Sequence, residues 1–224
     1  MMPYDAVLFD CDGVLLDSEP LGLQALIDTL EGYGHAFSLL QAAEIFSGNS
    51  KQQSFDWLGA QGLDAPEVFH AADQRLFAMF DRHIPLIEGI AQVLAAIELP
   101  IAVCSNALHD RLAASLRRSP LAAYFGPHIY SGQDVATAKP APDLALYALE
   151  QLGLAGRKAI FVDDNVQGVL CAKAAGCLAI GFIGPSEHRR GHAETLFAAG
   201  ADHVVHGSGE LHRLLQTLTR AKAA

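Results

Sequence analysis

Five short apolar runs recur along the chain and stop at polar or glycine positions: 6–10 (AVLFD), 101–106 (IAVCSN), 128–132 (HIYSG), 159–164 (AIFVDD) and 178–183 (LAIGFI). None alternates apolar with polar residues, as a strand with one wet face would. Each is nearly continuous, which suits parallel strands covered on both faces. Helix-length segments rich in Ala and Leu lie between them, at 89–99, 107–118, 143–152 and 166–175. Strand alternating with helix predicts an α/β protein with a doubly wound, Rossmann-like parallel sheet. The run His203-Val204-Val205 reads as an edge strand beside a C-terminal helix. Sheets of this kind bind ligands beyond the carboxyl ends of their strands, and Asp10, Ser105, Asp163 and Asp164 fall there.

One stretch breaks the alternation. Between Asp17 and Ile84 the chain holds only helical patterns, with Leu23, Leu26, Ile27 and Leu30 forming one apolar stripe and Leu76, Phe77 and Phe80 another. Stripes at this spacing are packing faces. The pattern therefore predicts an all-helical cap domain, residues 17–84, inserted into a catalytic core of residues 1–16 and 85–224. Leaving the sheet just after the first strand, the insertion is expected to hang over the carboxyl ends as a lid.

Composition narrows the class of partner. The chain has 224 residues and a formal charge of −10. That acidity disfavours nucleic acid and anionic membranes, which need clustered Lys and Arg. It leaves room for a small phosphorylated metabolite, whose charge a few local cations can meet. The opening MMPYDAVLFD has neither region of a signal peptide, and the most apolar internal stretch is interrupted by Glu98 and Pro100. A cytoplasmic protein, monomer or homodimer, is the expectation. Cys11, Cys104, Cys171 and Cys177 show no metal-binding spacing and read as buried free thiols.

The candidate chemistry starts at FDCDGVLLDSEP, residues 9–20. In an extended chain residues i and i+2 point the same way, so Asp10 and Asp12 are expected to share one site. Asp163 and Asp164 end another strand, so four carboxylates converge. Such a group repels itself unless a cation neutralises it. Oxygen donors without His or Cys select Mg²⁺. With Ser105 and Lys139 nearby, the set describes phosphoryl transfer.

DCDGVLLDSEP, VCSN, AKPAPD and FVDDNVQGVLCAKAAG, in that order, resemble the four motifs of the haloacid dehalogenase superfamily, specifically its phosphatases with a helical cap after the first motif. The resemblance implies that Asp10 is a nucleophile forming an aspartyl-phosphate, and that Asp12 is the acid and base. Ser105, Asn106 and Lys139 would hold the phosphate. Asp10, the main-chain carbonyl of Asp12 and Asp164 would bind Mg²⁺, with Asp163 close by or acting through water. Gly13 would let the backbone turn its amides toward the phosphate. Lys51, the only lysine between Asp17 and Ile84, lies where capped relatives carry a specificity loop, and would hold the distal part of the substrate. FDCDG, Ser131-Gly132-Gln133-Asp134 and FVDDN are most similar to bacterial 6-phosphogluconate phosphatases, which implies a sugar or sugar-acid phosphate, with 6-phosphogluconate first.

Three alternatives remain. Hexose phosphomutases related to β-phosphoglucomutase share similar segments, but carry a hinge histidine where this chain has Gly22. Receiver-type signalling domains use a similar residue set without a counterpart of Asp12 or a helical insertion. A non-catalytic phospho-ligand binding protein is the third. His188, Arg189, Arg190, Gly191 and His192 follow Gly184-Pro185 and read as a solvated loop. His109 reads as a surface histidine at a helix start, and Glu150 and Arg157 as exposed charges.

Overall fold

In the computed structural model, residues 4–46 and 51–219 are described. Each of the five apolar runs forms a strand, most of them a residue or two shorter than the run. They are β1 (Ala6–Phe9), β2 (Ile101–Ser105), β3 (Ile129–Ser131), β4 (Ala159–Asp163) and β5 (Leu178–Ile183), with β6 (His203–His206) at one edge. All pair in parallel, in the order β3-β2-β1-β4-β5-β6. This is the α/β, Rossmann-like arrangement that the alternation predicts. β1 is central, with Val7 facing Ile101 on one side and Ile160 on the other. Ala6, Val7, Leu8 and Phe9 are fully buried, which explains why this strand lacks a polar face.

The contacts divide the chain into two compact units, Met1–Asp17 with Pro85–Ala224, and Ser18–Ile84. The second unit holds α1 (Glu19–Gly32), α2 (Leu39–Phe46), α3 (Lys51–Ala60) and α4 (Ala65–Phe80). Leu26 and Leu30 of α1 pack with Leu58, Ala65, Val68 and Ala72, and Phe37 and Phe46 meet Trp57 edge-on at 5.6 and 5.2 Å. α4 begins where Asp64 caps the amide of Glu67 at 2.9 Å and Pro66 occupies the first turn.

The first unit carries α5 (Ile90–Ala95), α6 (His109–Ala114), α7 (Ala122–Phe125), α8 (Asp143–Gln151), α9 (Val166–Ala174), α10 (His192–Ala198) and α11 (Gly207–Thr219). Two helices fall short of their patterns by more than a residue. α5 stops at Ala95, short of Pro100. α6 stops at Ala114, where the Ser115 hydroxyl donates to the Arg111 carbonyl at 2.7 Å and the chain tightens into a 3₁₀ turn, Leu116–Arg118. The four cysteines are free and buried. No helix among the described residues is long and apolar enough to cross a membrane.

Candidate active site

β1 ends at Phe9, and the next amide, that of Asp10, is still held by the Val162 carbonyl of β4 at 2.9 Å. The Asp10 carboxylate is thereby fixed at the mouth of the central strand pair. Lys139 reaches it from the chain after β3, with Nζ 2.8 Å from Asp10 Oδ1 and 2.8 Å from Asp163 Oδ2. The Asn106 side chain clamps the Lys139 backbone from both directions, donating to its carbonyl and accepting from its amide, each at 3.0 Å. Asn106 was expected to hold the phosphate; in this structure its amide is occupied in placing Lys139. Ser105 is buried at the end of β2, where its Oγ accepts from the Ala107 amide at 3.1 Å.

Asp10, Asp163 and Asp164 can each offer one carboxylate oxygen, all within 4.8 Å of one another. Both Asp163 oxygens already have partners, Oδ2 in Lys139 and Oδ1 in the Asn165 amide at 2.9 Å. Asp10 and Asp164 are thus the better placed direct ligands. Two glycines make the cluster possible. A Cβ on Gly13 would stand 2.3 Å from Asp164 Oδ2, and one on Gly168, inside α9, would stand 1.7 Å from Asp163 Oδ2.

Burial, the mutual repulsion with Asp163 and the charge of Asp12 push the Asp10 carboxyl up to about 7, against the pull of Lys139. Burial first, then Asp163 and Asp10, hold Asp164 well above the usual carboxylate range. Burial works against the charge on Lys139, but Asp10 and Asp163 outweigh it and keep the ammonium above its ordinary value. One ammonium among three carboxylates leaves the cluster short of positive charge. An all-oxygen, over-acidic donor set fits a hard divalent cation.

Asp12 departs from expectation. Its carboxylate is not in this cluster but lies against Arg111, with Nε to Oδ2 at 3.2 Å and Nη2 to Oδ1 at 3.3 Å. The extended geometry that would align residues i and i+2 ends at Phe9. Beyond it the Leu15 and Leu16 amides both bond to the Cys11 carbonyl, and the chain turns. Gly13 lies within that turn, where its own amide bonds to the Leu16 carbonyl at 2.8 Å. The position needs glycine for its φ of +79° and for the approach of Asp164. Arg111 carried no local signal beyond its place on a predicted helix.

The loop set aside as solvated is partly buried against the site. His192 is 6% exposed, and its Nε2 donates to the Asp164 main-chain carbonyl at 2.7 Å, with Glu187 Oε2 3.5 Å away. Glu187 in turn binds Arg189, whose Nη2 lies 4.0 Å from Asp164 Oδ2. Ser186 donates to Asp17 Oδ2 at 2.9 Å. The loop leaves β5, the neighbour of β4, so it emerges at the same end of the sheet as Asp163. His109 begins α6, about half-exposed, and meets Asp134 at 3.1 Å. Glu150 and Arg157 are exposed. Lys51 is the first residue of α3; its side chain, and residues 47–50 before it, lie outside the described residues.

A family model described as haloacid dehalogenase-like hydrolase matches residues 4–176. The chain is 28% identical over 179 residues to the 6-phosphogluconate phosphatase of Escherichia coli (strain K12), covering 79% of this chain and 81% of that protein. It is 27% identical over 220 residues to the phosphorylated carbohydrates phosphatase of Thermotoga maritima, covering 96% of this chain and 100% of that protein. Among solved structures, a family hydrolase from Deinococcus radiodurans R1 with bound phosphate and sodium superposes with a TM-score of 0.81, at 31% identity and with 100% of both chains covered.

Proposed function

The chain belongs to the haloacid dehalogenase-like hydrolases, and from that premise we propose that it is a Mg²⁺-dependent phosphatase of small sugar or sugar-acid phosphates, 6-phosphogluconate first among them. The observation that carries this reading is the buried contact of Lys139 with both Asp10 and Asp163, with Asp164 beside them. Lys139 occupies one Asp10 oxygen and leaves the other for attack. The relatives named for 6-phosphogluconate and for phosphorylated carbohydrates support the substrate class.

Mg²⁺, when bound, would be held by Asp10 and Asp164, with the Asp12 carbonyl, and would neutralise the phosphoryl oxygens as charge builds. The second Asp10 oxygen attacks phosphorus, the ester P–O bond breaks, and Asp12 gives its proton to the departing alkoxide. Lys139 and Ser105 hold the transferring phosphoryl group. Asp12 then takes a proton from water, which attacks phosphorus, and the bond to Asp10 breaks to release phosphate. Asp163 keeps Lys139 in place throughout.

The test is release of phosphate from para-nitrophenyl phosphate with and without Mg²⁺. Turnover is expected only with the metal, and Asp10→Asn should abolish it. Asp12→Asn should slow it by about 10²–10⁴-fold, as loss of acid–base catalysis does. Absence of metal-dependent release by the purified protein refutes the reading.

A further inference from the structure

We propose that Gln167 is a specificity residue, whose side-chain NH₂ donates to an oxygen acceptor, hydroxyl or carboxylate, on the alcohol portion of the substrate. The inference rests on the phosphatase reading above and names a residue that selects among the esters.

The direction of the Gln167 amide follows from a chain of hydrogen bonds that starts at a fixed point. The Lys139 backbone N–H can only donate and its carbonyl can only accept. Asn106 therefore presents Oδ1 to the first and Nδ2 to the second, each at 3.0 Å. Nδ2 has one hydrogen left, and it donates to Gln167 Oε1 at 3.3 Å. Turning the Gln167 amide over would set two NH₂ groups against each other. Its oxygen thus faces Asn106 and its Nε2 faces away, a donor that meets no acceptor among the described residues.

Topology places this donor beside the chemistry. Asn106 follows Ser105, the last residue of β2, and Gln167 lies in the first turn of α9, just after β4. β2 and β4 are the two neighbours of β1. A link from one to the other therefore passes the carboxyl end of β1, where Asp10 stands. Burial then separates a floor from a rim. Asp10, Ser105, Lys139 and Asp163 are buried, whereas Asn106 and Gln167 are exposed. The transferring phosphoryl group belongs to the floor, with Lys139 and Ser105. What projects from the floor toward the rim is the alcohol portion of the ester. An uncharged donor there does not compete with Lys139 for the phosphoryl oxygens, and it suits a hydroxyl or a carboxylate. Gln167 is tied to Asn106, and Asn106 to the Lys139 backbone, so the donor is held in advance relative to the catalytic lysine. A site built to donate to one substrate oxygen discriminates against esters that lack it.

The experiment follows phosphate release, with Mg²⁺, from three esters. 6-Phosphogluconate carries hydroxyls and a carboxylate, glucitol 6-phosphate carries hydroxyls alone, and phenyl phosphate carries neither. Relative to the wild type, Gln167→Met should lose more kcat/KM on the first, or on the first two, than on phenyl phosphate. The excess loss is expected to be about 3- to 10-fold for a hydroxyl acceptor and about 10- to 100-fold for a carboxylate. An excess confined to 6-phosphogluconate identifies the carboxylate; one shared with glucitol 6-phosphate identifies a hydroxyl. Gln167→Glu keeps the acceptor for Asn106, and with it the placement of Lys139, but turns an anion outward. A carboxylate contact then becomes repulsive and the loss grows, whereas a hydroxyl can turn round and donate, recovering most of the activity. Three results overturn the proposal: a loss in Gln167→Met that is equal on all three esters, no loss on any, or a wild type that turns over phenyl phosphate and neither of the others. The first would leave Gln167 a support for Asn106 and Lys139 alone. Failure to hydrolyse any ester, para-nitrophenyl phosphate included, would instead bring down the phosphatase reading, and this proposal with it.

Discussion

A hydrogen atom at Gly168 in place of a methyl group lets the Asp163 carboxylate sit where it does. Alanine inside a helix is ordinarily better than glycine by about 1 kcal/mol. Here the added carbon would stand 1.7 Å from Asp163 Oδ2, so the usual gain should reverse. Gly168→Ala is expected to push Asp163 aside, release one of the two carboxylates on Lys139 and cut kcat by ~10²-fold, as a misplacement of about 1 Å does. Wild-type kcat in a folded Gly168→Ala protein would contradict the account. Residues of this kind were invisible in the sequence. Asp10, Asp163 and Asp164 could be found because their chemistry requires charge at strand ends, which the apolar runs locate, whereas Lys139, eight residues beyond β3, was found through the resemblance of AKPAPD. Gly168 and Arg111 act through what they stand beside across 5 and 99 positions of chain, respectively, and Gly168 does so by lacking an atom.

At the scale of elements, the start of α10, with the loop that leads to it from β5, acts as a brace behind Asp164. Its contact is made to a main-chain carbonyl, so it sets the direction in which the Asp164 side chain leaves the backbone. Replacing His192 by Leu should weaken Mg²⁺ binding about 10-fold or more, in line with other supports behind metal ligands, and His192→Gln, which keeps a donor, should recover part of the affinity. Titration calorimetry with Mg²⁺ alone reads this without turnover; equal affinities in the wild type and His192→Leu would refute it. The strands were legible because a strand buried on both faces is continuously apolar. The break in the helical run 107–118 was missed because Leu116, Arg117 and Arg118 are good helix formers and nothing within the run itself marks an end. The loop was misread for a related reason: Gly-Pro followed by charges is what a solvated loop looks like locally, and its burial comes from adjacency to β4.

Across the whole molecule, the acidic cluster ties stability to pH and to metal. An Asp10 carboxyl raised to about 7 in the folded state contributes stability that is fully present below the ordinary carboxylate range and lost as pH climbs through 7. A divalent cation should restore it, since binding competes with protons. The rise in Tm on adding Mg²⁺ is therefore expected to be small at pH 5 and larger at pH 8; shifts of equal size would separate the metal from these carboxylates. The alternation of patterns predicted a parallel sheet, but the strand order, and with it the central place of β1, is settled only by packing. That order has a consequence for where the protein could be cut or grafted. The family match ends at residue 176, and a piece trimmed there would keep Asp10, Asp12, Ser105, Lys139, Asp163 and Asp164. It would lose β5, which pairs with β4 up to Asp163 opposite Gly181, together with His192. The portion that the family model matches is thus shorter than the portion expected to work when transplanted, which would run at least through α10.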